Sequence, residues 1–232
     1  MDWKAHAGSI VFVKIAVTIG TYLLEQFVHL NVLQCRHVFG ESVPILISDD
    51  VSQNSTRIRD LAIQLDTWHV VSGPRGHFAG DQAAAVNALA FAENQNADMC
   101  LKVSQRFMLA EPACKEIIER HFADKNIWLG LPGRIPAHSI KRVESRFFAN
   151  LSVLTDVLVI RTGTLSPQQL KDRYEIRVRN PRTHIDKLAE SCWADLMDTH
   201  FSTHTVQMPE FTHHYPGRNP IYLRKAQNQP AD

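Results

Sequence analysis

Surplus charge is what this chain most conspicuously lacks. Lys and Arg number 25 against 24 Asp and Glu, a formal net charge of +1, so no global field draws the molecule onto nucleic acid or an anionic membrane. Cysteine is also scarce: Cys35, Cys100, Cys114 and Cys192 lie far apart without a Cys-x-x-Cys spacing, and a reduced cytosolic setting is expected. The 12 His are scattered and form neither the helical His-Glu-x-x-His spacing nor a Cys/His finger, which excludes the common zinc motifs. The glycine-rich phosphate loops are absent too, both the P-loop and the Gly-x-Gly-x-x-Gly of dinucleotide sites. Nor is there a long unbroken apolar run. The stretch from Ile10 to Ile19 is interrupted by Lys14 and followed by Gly20, and it reads as a buried strand, neither a signal peptide nor a transmembrane helix. Peripheral work at a membrane, on a lipid-linked acceptor, stays open.

What is present is a hydrophobic fraction of 44% over 232 residues, enough for the core of one domain. Apolar runs at Val11–Ile19, Val43–Ile47, Trp68–Ser72, Met99–Leu101, Ile127–Leu131 and Val153–Ile160 read as strands. Between the early ones lie helical patterns. In the first, Leu23, Phe27, Leu30 and Leu33 recur at helical spacing until Gly40 stops them. In the second, Ile58, Leu61, Ala62 and Leu65 share a face behind Ser55. An Ala-rich third runs to Phe91, with Asp81 as its N-cap after a Gly73–Gly80 loop. Later helices are expected beyond Pro112, beyond Ser166 with Pro167 in the first turn, and from Ile185 through Cys192 to Leu196. Strict β-α alternation predicts an α/β fold, a mostly parallel sheet with helices on both faces. We expect one domain, with residues 9–110 as a nucleotide-binding half and 111–232 as an acceptor half.

In open α/β sheets ligands bind beyond the carboxyl ends of the strands, and those positions are polar here: Thr18 to Tyr22, Ser48 to Asp50, Gly73 to Gly80 and Lys102 to Arg106. The run Ile19-Gly-Thr-Tyr22, the run Asp49-Asp-Val-Ser-Gln-Asn54 and the segment from Gly76 to Asn87 together resemble the donor half of GT-A glycosyltransferases of the family 2 type. The resemblance covers about the first half of the chain. It implies a nucleotide-sugar donor, a glycan or lipid-linked acceptor and a place in polysaccharide synthesis. It also implies donor-binding roles for Thr18, Gly20, Tyr22, Asp49, Asp50, Gly76 and Asp81, with Asp49 and Asp50 on the nucleoside. One departure stands out. Where that family carries Asp-x-Asp for a divalent cation, this chain has Lys102-Val103-Ser104, then Gln105 and Arg106. No metal residue is assigned, Mg²⁺ or Mn²⁺ being what related enzymes use. Lys102, Ser104 and Arg106 are expected to meet the donor phosphates instead, or the domain has lost its activity.

For a base that deprotonates an acceptor hydroxyl, the late chain offers Glu190, Asp195, Asp198, Glu210, His213 and His214. Asp195 is the first choice by analogy with the family's helix-start base, and His213 the second. Plain alternatives stand beside these roles: a solvated turn or a helix cap for Asp49 and Asp50, a flexible connection for Gly73 to Gly80, and a surface charge pair for Lys102 and Arg106. The competing functions are a catalytically degenerate nucleotide- or glycan-binding module, a sugar-phosphate nucleotidyltransferase, of whose motif only Gly20-Thr21 survives, and a Rossmann methyltransferase without its glycine-rich turn.

Overall fold

Continuous apolar stretches form the interior strands. The structure is a computed structural model that describes residues 13–22, 25–50, 55–72, 77–109, 113–132, 155–179, 192, 193, 196, 205–208 and 212–214. Along the chain run β1 (Ile15–Thr21), α1 (Glu25–Phe39), β2 (Ile45–Asp49), α2 (Ser55–Gln64), β3 (Trp68–Val71), α3 (His77–Asn94), β4 (Met99–Ser104) and β5 (Phe107–Leu109). They are followed by α4 (Cys114–Phe122), β6 (Leu129–Pro132), β7 (Val157–Arg161), α5 (Pro167–Arg179), β8 (Thr205–Met208) and β9 (Thr212–His214). Seven strands make one sheet in the order β3-β2-β1-β4-β7-β6-β8, and β5 pairs with β9 in a separate ribbon. Within the large sheet β7 runs against its neighbours β4 and β6, and the other pairings are parallel. The expected architecture is therefore the observed one.

Strand pleating sorts the side chains into two cores. Ile15, Val17, Ile19, Ile45, Ile47, Leu101 and Val103 face one layer with Val28 and Val32 of α1, Ile58 of α2 and Ile118 of α4. Ala16, Leu46, Cys100, Leu158 and Ile160 face the other, with Ala85, Ala88 and Leu89 of α3, Leu170 of α5, and Cys192, Trp193 and Leu196. Three helices end on a residue in the left-handed region: Gly40 (φ 101°), Asp66 (φ 47°) and Asn96 (φ 50°). At the last two the reversal carries paired bonds of the Schellman type, Thr67 N to Ala62 O and Asp66 N to Ile63 O in one, Ala97 N to Ala92 O and Asn96 N to Glu93 O in the other. At the start of α5, Ser166 Oγ accepts from Gln169 N at 3.1 Å while Ser166 N donates to Gln169 Oε1 at 3.0 Å, a reciprocal capping box.

Three expectations need correction. The buried face of α1 is Val28, Asn31, Val32 and Cys35, whereas Leu30 and Leu33 are 47% and 48% exposed. Apolar residues lie on both sides of this helix, and the side carrying Asn31 turns inward because its carboxamide donates to Gln105 O at 2.9 Å. β1 and β4 run further than expected, so Gly20 and Thr21, and Lys102 to Ser104, are strand residues with no turn between them. The chain beyond residue 200 supplies β8 and β9 although no apolar run announces them. β8 finds its pairing through β6, in parallel register Leu129 with Thr205 to Pro132 with Met208.

All four cysteines are free and buried. Burial pushes the thiols of Cys35 and Cys100 up to about 12, although the Lys102 ammonium pulls Cys100 the other way. Since only the thiolate reacts, the native protein is expected to give no fast-reacting thiol with a colorimetric disulfide reagent at pH 8, and four after denaturation. One rapidly labelled cysteine in the native protein contradicts this packing.

Candidate functional site

The sheet order reverses at β1: β2 and β3 are added on one side and β4 on the other. Such a switch point opens a crevice beyond the strand ends. Register fixes what meets there, Thr18 beside Lys102 and Gly20 beside Ser104. Pleating turns these four toward α3, which crosses β1, β4 and β2. Gly20 allows that crossing, since a Cβ on it would lie 3.1 Å from Ala84 Cβ and 3.8 Å from Lys102 Cε.

Lys102 is not the surface charge considered as its plain alternative; its side chain is 0% exposed. Its ammonium is ion-paired to Asp81 Oδ1, donates to Thr155 O at 2.6 Å and lies 3.3 Å from Ser104 Oγ. Ser104 Oγ also donates to Asp81 Oδ1, at 3.2 Å. Asp81 is therefore no N-cap. The helix begins four residues earlier, at His77, and Asp81 lies in its second turn. The misleading residue is Gly80, which sits inside the helix: a Cβ there would collide with the Asp50 carboxylate.

The rest of the polar run after β4 is engaged in the same way. Gln105 Oε1 accepts from Thr21 Oγ1 at 2.7 Å and from Tyr22 N at 2.9 Å, its Nε2 donates to Tyr22 O, and its backbone N donates to Gly20 O at 2.8 Å. Arg106 places Nε at 3.1 Å and Nη2 at 2.7 Å from one oxygen of Asp156, whose own carbonyl accepts from Ser104 N. An ammonium, a hydroxyl and an engaged carboxamide do not fit a divalent cation, which wants several hard oxygens. Among the described residues, no group of three or more His, Cys, Asp and Glu gathers that could hold one.

Asp49 and Asp50 are both buried, and they face opposite ways. Asp49 lies 3.7 Å from His69 Nε2 on the α2 side, and Asp50 is pressed against Gly80 of α3. Tyr22 is 45% exposed, and Thr18 is buried within β1. Behind Asp49, Asn87 of α3 donates to Ser48 Oγ at 2.9 Å and to Ser72 Oγ at 2.8 Å, tying the ends of β2 and β3 to the helix. Gly76 and Asp195 lie outside the described residues. His213 sits in β9 opposite Met108 of β5, so its backbone is two register positions from Arg106. The structure thus brings Thr18, Gly20, Asp81, Lys102 and Ser104 together. A cavity of about 250 Å³ opens between β3, α3 and α5, beside Ser72, Gln82, Asn87 and Tyr174, and its described lining includes none of the expected donor residues. Sequence reasoning missed Thr155 and Asp156, the partners of the two cations. Their signal was a polar pair inside the apolar run Val153–Ile160.

Because Gln105 holds the β1 end by its side chain and α1 by its carbonyl, Gln105→Ala strands a buried hydroxyl at Thr21 and part-buried backbone groups at Tyr22. The expected cost is about 1–3 kcal/mol in denaturant unfolding, and a midpoint equal to wild type would contradict the clamp.

No family model and no curated protein sequence matches this chain. Solved structures do. A mycobacterial protein is 14% identical with a TM-score of 0.56, covering 91% of this chain and 70% of its own. Glucosyl-3-phosphoglycerate synthase from Mycobacterium tuberculosis, solved with Mn2+, UDP and phosphoglyceric acid, is 14% identical with a TM-score of 0.55, covering 93% and 74%. A mannosyltransferase from Pyrobaculum calidifontis, solved with GDP-Man and Mn2+, is 10% identical with a TM-score of 0.52; this chain spans 61% of its length. At such identities the likeness concerns the fold, and the fold is that of GT-A-type transferases.

Proposed function

We infer that the chain is a glycosyltransferase that moves a sugar from a nucleotide-activated donor to a glycan or other hydroxyl acceptor, including a lipid-linked one, without a divalent cation. The observation that carries this reading is the Lys102 cluster, lying at the switch point of a GT-A fold in the strand positions where the family 2 resemblance expects metal-binding carboxylates. In this reading Asp49, Asp50, Thr18, Gly20, Tyr22 and the Gly76 loop hold the nucleoside. Lys102, Ser104 and Arg106 offset the diphosphate, each charge-assisted hydrogen bond contributing about 1.5–3 kcal/mol. Asp195, or failing it His213, takes the proton from the acceptor hydroxyl. Residues 9–110 serve the donor and 111–232 the acceptor, the protein works in the cytoplasm or at the membrane surface, and its product belongs to polysaccharide synthesis.

One observation favours a second reading, a nucleotide- or glycan-binding module without turnover: Lys102 and Arg106 each already carry a counter-ion.

The two separate in one series of measurements. Calorimetry with a panel of nucleoside diphosphates in EDTA is expected to give binding unaltered by the chelator. Lys102→Met is expected to weaken diphosphates about tenfold or more while nucleosides change little. Incubation with nucleotide sugars and acceptors is expected to give transfer that Asp195→Asn removes without loss of donor binding. Binding abolished by EDTA ends the metal-free reading, and binding without turnover for every acceptor favours the module.

A further inference from the structure

Asp81 is the acid that makes a buried cation tolerable, and its geometry gives it a second consequence. An ammonium has three N–H groups, and Lys102 has three partners for them: Asp81 Oδ1, Thr155 O at 2.6 Å and Ser104 Oγ at 3.3 Å. No N–H is left over for a ligand. The ammonium is also closed to solvent, whereas the Asp81 side chain is 16% exposed. Of the pair, the carboxylate is thus the member that an arriving anion meets. Two donors converge on one atom, since Lys102 Nζ and Ser104 Oγ both bond Asp81 Oδ1. That atom marks an oxyanion position served by an ammonium and a hydroxyl, which is also the chemistry that holds a phosphoryl oxygen.

We propose that Asp81 is a built-in competitor for the donor diphosphate: its Oδ1 occupies the oxyanion position made by Lys102 and Ser104, and the donor binds by displacing it. This rests on the reading of Lys102 as the diphosphate's cation. Asp81 is on this account a positioning and specificity-determining residue that acts through Lys102 without touching the donor. Displacement releases one N–H of Lys102 and the hydroxyl of Ser104 together, so a group with several anionic oxygens gains both. A neutral or singly charged ligand gains less against the same competing carboxylate, which selects for the diphosphate.

The proposal makes an expectation opposite in sign to that for an ordinary binding residue. Asp81→Asn keeps the shape and removes the competing charge, so inorganic pyrophosphate, titrated calorimetrically in EDTA, should bind about tenfold more tightly, the size of one charge-assisted hydrogen bond. Adding Lys102→Met to that variant should cancel the gain. A merely structural role for Asp81 gives no tightening, because damage to the fold weakens binding. Pyrophosphate affinity unchanged or reduced in an Asp81→Asn protein that melts like wild type overturns the proposal. Should that variant not fold, the wild-type protein decides. The Lys102 ammonium resonance, assigned by its loss in Lys102→Met, should shift on saturation with pyrophosphate, and a resonance that stays put overturns the proposal equally. The two readings fail separately: nucleoside diphosphates that do not bind wild type remove the transferase reading, whereas tight wild-type binding with no gain in Asp81→Asn removes only the competitor.

Discussion

An ammonium taken out of water costs several kcal/mol unless its charge and its N–H groups are met inside the protein. Lys102 imposes that demand in the middle of the sheet, on a strand flanked by β1 and β7. Meeting it fixes the surroundings. α3 must bring Asp81 to the ammonium, β1 must present a residue without a side chain at Gly20 so that α3 can lie close, and the chain entering β7 must lend the carbonyl of Thr155. One cation therefore sets the relation of two strands, a helix and the entry to a third strand. The Ala-rich face of α3, with Ala84, Ala85 and Ala88 buried, is what permits so close an approach.

The same logic of matched partners extends along the connection from β4 to β5. Arg106 is answered by Asp156, one residue from the carbonyl that holds Lys102, and Gln105 spends its carboxamide on Thr21 and Tyr22. Residues 102 to 106, which read in the sequence as a cluster free to meet a ligand, are the internal wiring of the switch point. Its two cations and their two carboxylates balance. A phosphate-bearing ligand at this end of the sheet meets compensated pairs, so its affinity depends on exchange of partners more than on long-range attraction.

Most of the fold was legible because strands covered on both faces are written as continuous apolar runs: Val43–Ile47, Met99–Leu101 and Val153–Ile160 lead to β2, β4 and β7. Ser166 and Pro167 likewise announced α5 by local chemistry alone. What could not be read depends on contacts far along the chain. Gly80 looks like a loop residue until Asp50, thirty positions away, is seen to press on it. Leu30 and Leu33 look like a core stripe until Asn31 is found bonded to the carbonyl of Gln105. β8 and β9 have almost no apolar pattern and exist because β6 and β5 offer them edges. The residue types of the site were legible, but the partners that neutralise them were not, since Asp156 and Thr155 are some fifty residues from Arg106 and Lys102.

The two acids at the end of β2 illustrate how pleating limits chemistry. Neighbouring residues in extended backbone project to opposite faces of a sheet, and here the ladder still holds at Asp50, whose N donates to Thr21 O at 3.1 Å. Asp49 accordingly sits with His69 on the α2 side and Asp50 with Gly80 on the α3 side. An Asp-Asp dipeptide in this setting is not a chelating pair, because closing both carboxylates on one ion would require the strand end to unpleat. It can act only as two separate acids, one in each layer. Asp50 alone shares the face of Lys102, Asp81 and Gly20, and the residue next to its contact on α3 is Asp81 itself. The carboxylate that balances Lys102 therefore comes from the second turn of α3, while Asp49 belongs to a different electrostatic neighbourhood, beside His69 in the other layer.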